Sequence, residues 1–326
     1  MGDNISGRQT GAWCFCAVSV PAILTASRMG WGWALLAGAV AAAYFGLTGS
    51  LVPGGAVDLA RETAAAFGRG PGRIVLALGG VFCVLALSDT ASRAGAAFPD
   101  GTAWLAGAAI LLLAALANEK DASCAARACG ALALILAGLY LITGLSAAAQ
   151  TEAKWLQPWG TVRQSVTLLP SLLVPCCIRY LPGRKEGTHG AWLAGLCLGP
   201  AAVAAITSGC LSPRLAQSLE QPFYTVSQSL SVLDVMERFE PLVSAALLMG
   251  FFALASLLAA AAKAQLEKAL PVLSGKRWTA GAVCLAAFLL QGVCRMAGEG
   301  FWMMGAAIFW GTVPLLTLLI VAIKNN

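Results

Sequence analysis

Charge is scarce in this chain, so the charged side chains that lie inside apolar runs are the first candidates for chemistry. Asp89 and Arg93, in LALSDTASRAG, are one helical turn apart. At that spacing a carboxylate and a guanidinium neutralise each other, or together take a ligand or a proton. Residues 232 to 248, VLDVMERFEPLVSAALL, gather Asp234, Glu237, Arg238 and Glu240 against the start of a long apolar run. Arg295 and Glu299, in CRMAGEGF, bracket a third place. The remaining reactive residue types form no constellation. His189 is the single histidine, and Cys176-Cys177 is an adjacent pair with no CxxC spacing. Most of the 11 cysteines, including Cys14, Cys16, Cys83, Cys197, Cys210, Cys284 and Cys294, lie within apolar segments and read as small packing residues. There is no GxxxxGK[ST], no HExxH and no set of nucleophile, base and orienting group. No catalysis, metal or cofactor is expected.

The elements that must position these groups are membrane helices. Hydrophobic residues make up 59% of the 326 residues and charged residues 11%, against about 25% charged in a soluble domain. Mean hydropathy is +0.77. Apolar segments of about 17 to 25 residues recur, the length that crosses a hydrocarbon core of about 30 Å as helix. The polar alternation of a membrane barrel is missing. Ten spans are predicted, at 10–28, 33–51, 73–97, 102–118, 128–148, 165–182, 190–210, 241–262, 278–295 and 301–323. An even count puts both termini on one side. Fourteen of the 21 Lys and Arg residues, among them Arg61, Lys120, Arg184, Lys263, Lys276 and Lys324, then share that side, which predicts cytoplasmic termini by the positive-inside rule. The net charge of +6 is read as topology, because no basic stripe marks a nucleic-acid partner. The N-terminus, MGDNISGRQTG, lacks the basic and small-residue features of a removable signal peptide. The charged stretch fits a short amphipathic helix over 231–239 in the interface, with Pro241 in the first turn of the next span. No linker or repeat interrupts the chain, and residues 1–326 are read as one transmembrane domain.

Two spans carry internal prolines beside serines: Ser19 and Pro21 in the first, Ser171 between Pro170 and Pro175 in the sixth. Each proline removes a backbone donor and frees a carbonyl for a ligand or ion. Such prolines can be ordinary kinks. Breaks in the first and sixth spans together are instead the pattern of five-plus-five inverted repeats, whose discontinuous helices frame a midplane site.

The charged stretch also carries a resemblance. QPFYTVSQSLSVLDVMERFEPLVSAALL is similar to the most recognisable segment of the spore germination permeases, the B subunits of nutrient germinant receptors, with the ERxE motif on Glu237, Arg238 and Glu240 after Pro222 and Phe223. ISGRQ at 5–9, DASCAAR ending at Arg127, LQP at 156–158 and YLPGRKEG at 180–187 resemble other pieces of that family in order. The family's first span carries a glycine where this chain has Ser19-Val20-Pro21, and an Asp before the Trp that opens the second span, where this chain has Gly32-Trp33. The resemblance implies an all-α polytopic membrane protein with about ten transmembrane helices, in the five-plus-five fold of the amino acid/polyamine/organocation superfamily, with helices 1 and 6 broken. It implies an inner spore membrane location, a lipoprotein and a larger membrane subunit as partners, and a small nutrient, an amino acid in the first instance, as ligand. By analogy with that fold the ligand pocket involves Ser19, Val20, Pro21, Phe82, Ala86, Ser171, Leu172 and Ala253. A transporter of the same fold, coupled to protons or sodium, and a scaffold with a vestigial pocket are the alternatives.

Overall fold

The computed structural model describes residues 5–51, 58–96, 103–156, 158–159, 162–182, 190–219, 221–229, 240–296 and 301–325. These are almost entirely helical, and the described residues of the predicted spans lie mostly on helix. The helices are α1 (Gly7–Ala26), α2 (Trp31–Ser50), α3 (Leu59–Phe67), α4 (Arg69–Ala96), α5 (Ala103–Ala117), α6 (Ser123–Ala148), α7 (Val162–Leu173), α8 (Gly190–Leu211), α9 (Pro213–Ser218), α10 (Pro222–Ser229), α11 (Glu240–Ala269), α12 (Thr279–Leu289), α13 (Gln291–Met296) and α14 (Phe301–Asn325). Seven of them are long and apolar enough to cross a membrane: α1, α2, α4, α6, α8, α11 and α14. Shorter apolar helices cover Trp104–Ala117, Leu168–Tyr180 and Thr279–Leu289. This is a multi-pass, all-α membrane protein.

Local sequence explains where the helices begin. Ser6 opens α1 with a reciprocal cap: its hydroxyl accepts from Gln9 N at 3.3 Å while Gln9 Oε1 accepts from Ser6 N at 3.0 Å. The ISGRQ motif is therefore, in structural terms, a helix start. Asp58 caps α3 by accepting from the amides of Ala60 and Arg61. Gly68, at φ 86°, separates α3 from α4 in a conformation closed to residues with a Cβ. Asp121 accepts from Ser123 N at 2.9 Å at the head of α6, and Ser123 in turn accepts from Arg127 at 3.3 Å.

Helices meet where side chains are small, as close packing in lipid requires. A Cβ on Gly38 of α2 would lie 2.8 Å from Cys197 Cα of α8, and one on Gly80 of α4 would lie 2.7 Å from Leu266 Cγ of α11. α11 presents a run of buried alanines, Ala259 to Ala262, to its neighbours. α6 instead lies at the edge, with Leu134, Leu141 and Leu145 facing outward into lipid.

One expectation needs correction. The first span is not broken: α1 runs through Pro21 without interruption. A single proline removes one backbone bond, and here the residues on either side, Val18, Val20 and Ala22, are clamped in the core. The Ser19 hydroxyl also bonds back to Cys16 O at 2.8 Å within the same turn. In the sixth span Pro170 and Pro175 remove donors from successive turns, and the α-helix passes into a 3₁₀ helix over Val174–Tyr180. The amphipathic helix expected at 231–239 lies outside the described residues, as does the basic exit at 183–187.

Gly38→Ala is expected to destabilise the protein by about 1–3 kcal/mol, because the clash is with backbone that cannot move without shifting α8; thermal unfolding in detergent reads it. The Asp121 carboxyl is held below its ordinary value of 3.8, chiefly by the Ser123 hydroxyl and then by backbone N–H groups. Its contribution is complete above that value and is lost as the pH falls through the lowered one, so Asp121→Asn should flatten the acid limb of a stability profile and leave the alkaline limb unchanged.

Candidate functional site

The 3₁₀ segment VPCCIRY is buried on every side from Val174 to Tyr180. A helix with three residues per turn has no free face when all its residues are covered, so side chains of every type, Arg179 and Tyr180 included, project into the protein. Arg179 is 6% exposed, and its guanidinium lies over the Phe45 ring of α2, 5.7 Å from the centroid. The neighbouring Tyr44 hydroxyl donates to Trp310 O of α14 at 3.0 Å and lies beside the Cys176 thiol. Gln265 of α11 donates from Nε2 to Cys83 Sγ of α4 at 3.5 Å. Cys83 also adjoins Cys177, Tyr180 and the Trp310 indole. Five elements thus converge on one buried polar cluster.

Two groups in it have no partner among the described residues: Tyr180 OH and Gln265 Oε1, on residues 1% and 0% exposed. An unpaired buried polar group costs about 1–3 kcal/mol in a protein interior and more in hydrocarbon. A buried donor and a buried acceptor close together can take a water or a ligand group between them. Among the described residues no group of three or more His, Cys, Asp or Glu side chains is arranged to hold a metal ion. The thiols here act as soft packing groups.

The residues expected from sequence divide into three places. Ser19, Val20 and Ala253 come together where α1 crosses α11: Ser19 Oγ is 3.2 Å from the position of a Cβ on Gly250 and accepts from Tyr140 OH at 3.4 Å, and Ala253 O accepts from Trp13 Nε1 at 3.0 Å. Pro21 is buried within α1. Ser171 and Leu172, both buried, belong to α7, with Leu172 packed among Val18 and Ala22 on another face of α1. Phe82 and Ala86 lie on α4. Phe82 meets Phe309 of α14 with centroids 5.5 Å apart, and the Ala86 carbonyl accepts from Thr90 Oγ1 at 2.7 Å. Asp89 and Arg93 form the ion pair their spacing predicts, at 2.9 Å. Glu237 and Arg238 lie outside the described residues, and Glu240 opens α11.

A second polar thread fixes α11 beneath the cluster. Trp13 Nε1 also donates to Ser256 Oγ at 3.2 Å, and Asn118 Nδ2 donates to Ser256 O at 3.0 Å. Lys263 Nζ closes the carbonyl end of α5 with bonds to Asn118 O, Glu119 O and Lys120 O at 3.0, 3.2 and 3.3 Å.

Tyr44, Arg179, Tyr180, Gln265 and Trp310 were missed by sequence reasoning. The signal available was a glutamine in the apolar run AAAAKAQLEKA and a tyrosine beside an arginine at the close of a proline-interrupted span. Tyr180→Phe removes a hydroxyl with no partner, so the ligand-free protein should keep its stability or gain up to about 1–3 kcal/mol; a fall of that size in thermal unfolding would show the hydroxyl to be paired. No known family model matches the chain, and a search among functionally characterised proteins finds no match.

Proposed function

We propose that this chain is the ligand-binding membrane subunit of a nutrient receptor of the spore germinant type, a ten-span protein with a five-plus-five transporter-like fold in the inner spore membrane, with both termini cytoplasmic. The observation that carries this reading is the fully buried 3₁₀ segment Val174–Tyr180, ringed by polar side chains from α2, α4, α11 and α14. An irregular helix in lipid is tolerated only where protein or a ligand-lined cavity surrounds it, and in transporter-like folds that is where small solutes bind. The resemblance of the Glu237-Arg238-Glu240 stretch, of ISGRQ and of LQP to the germination permeases supplies the physiological setting. The ligand in this reading is a small nutrient, an amino acid in the first instance. Its binding shifts a conformational equilibrium that a lipoprotein and a larger membrane subunit read.

A transporter of the same fold is the second reading, favoured by the buried ion pair Asp89–Arg93 on α4, whose carboxylate is 5% exposed. Intramembrane ionisable pairs of this kind carry coupling in transporters.

The test is nutrient-triggered germination of spores lacking the gene, screened across single amino acids and sugars and complemented with wild type or with Gln265→Leu. Loss of the response to one nutrient, restored by wild type and not by a Gln265→Leu protein present at normal level, is the expected result. An unchanged response to every nutrient would sink the receptor reading, and uptake of radiolabelled amino acids into vesicles would then decide for transport.

A further inference from the structure

The connection between α11 and α12, residues Leu270 to Trp278, carries apolar side chains on its outside. Leu270 is 50% exposed, Val272 75% and Trp278 57%. The turn is nonetheless framed by its own backbone: Leu270 N donates to Leu266 O at 2.8 Å, Leu273 N to Leu270 O at 2.9 Å and Lys276 N to Leu273 O at 3.2 Å. Gly275 reverses the chain at φ 75°, and the Thr279 hydroxyl donates to Lys276 O at 2.8 Å where α12 begins. Turns in water are built mostly from polar residues. This one holds leucine, valine and tryptophan outward on a hydrogen-bonded frame.

Its level in the bilayer follows from α5. Leu116, near the end of that helix, is 59% exposed, whereas Glu119, Lys120 and Asp121 just beyond it are exposed charges, so the hydrocarbon edge lies between them. Lys263 of α11 bonds to the carbonyls of that same turn. From Lys263 to Ala269 the helix rises about 9 Å at 1.5 Å per residue. A headgroup layer is about 5–7 Å thick, so the turn comes to headgroup level.

Its charge is of one sign. The charged residues from Lys268 to Trp278 are Lys268, Lys276 and Arg277, with no acid among them. Lys268 lies 3.6 Å from Asp58, the cap of α3, while Lys276 and Arg277 are both exposed. The Lys276 ammonium stands 5.4 Å from the centroid of the Trp278 ring, so cation and indole share one level. Glu267, the acid that precedes the segment, has its Oε1 buried. Exposed aliphatic side chains, an indole at headgroup level and two adjacent cations together complement an anionic lipid.

We propose that the turn from Leu270 to Trp278 binds anionic phospholipid at the bilayer surface. Leu270, Val272 and Trp278 enter the boundary between headgroups and acyl chains, and Lys276 and Arg277 meet the headgroup phosphate, the guanidinium by paired hydrogen bonds and the ammonium as a point charge. The site is separate from the 3₁₀ cluster and does not depend on the germinant-receptor reading.

The purified full chain is placed in nanodiscs of equal parts phosphatidylglycerol and phosphatidylcholine, with brominated acyl chains on one lipid or on the other. Bromine quenches tryptophan on contact, and the share due to Trp278 is the difference from a Trp278→Phe protein of the same background. Quenching of that share by both lipids is expected, with a local preference for phosphatidylglycerol of about fivefold or more, as for one or two surface cations on an anionic membrane. In Lys276→Gln/Arg277→Gln, at exposed positions, the preference should fall to near one while quenching by phosphatidylcholine persists. Wild type supplies a second measurement that needs no charge variant: the preference should shrink in about 1 M salt, where charges are screened within about 3 Å. No quenching of Trp278 by either lipid would place the turn in water and overturn the proposal. Equal quenching by the two lipids in wild type, or a preference kept in the double variant or at high salt, would overturn it as well.

Discussion

Lipid cannot hydrogen-bond, so each polar group that leaves water must find its partner within the protein. α11 is where this chain meets most of that demand. On one side its Ala253 carbonyl and Ser256 hydroxyl take the Trp13 indole of α1. On another its Ser256 carbonyl takes the Asn118 amide, and Lys263 closes the end of α5. Between these contacts its alanines allow α4 to approach until Gly80 touches Leu266. The helices that carry the site are positioned by this shared strut: α4 with Cys83, α1 with Ser19, and the 3₁₀ segment between them.

How much of this was legible in the sequence follows from the range of each interaction. Span positions are local, set by runs of apolar residues, and seven of them coincide with helices long and apolar enough to cross a membrane. The pairing of Asp89 with Arg93 is local too, four residues apart on one helix. The fate of Pro21 was not legible, because whether a proline breaks a helix depends on what encloses it, and Val18, Val20 and Ala22 are enclosed on all sides. The polar cluster was invisible for the same reason on a larger scale. Tyr44, Cys83, Tyr180, Gln265 and Trp310 each look unremarkable in their own windows, and only the packing of four helices around a 3₁₀ turn makes them neighbours. Among the described residues the 3₁₀ cluster offers an unpaired donor and an unpaired acceptor, from tyrosine and glutamine, at zero or near-zero exposure. Motifs quoted as family signatures became physical features once folded: Ser6 and Gln9 a helix cap, Pro158 a clasp on Gly32.

The Lys263 clasp bears on the membrane as well as on the protein. α5 has 15 residues, so it reaches only about 22 Å at 1.5 Å per residue, short of a hydrocarbon layer about 30 Å thick. At its carbonyl end an ammonium brought from α11 bonds to the turn that follows, at Asn118 O and Lys120 O. A helix of that reach matches a bilayer thinner than average, and mismatch costs fractions of a kcal/mol per Å. Lipid tail length and lateral compression thereby bear on the seam between α5 and α11.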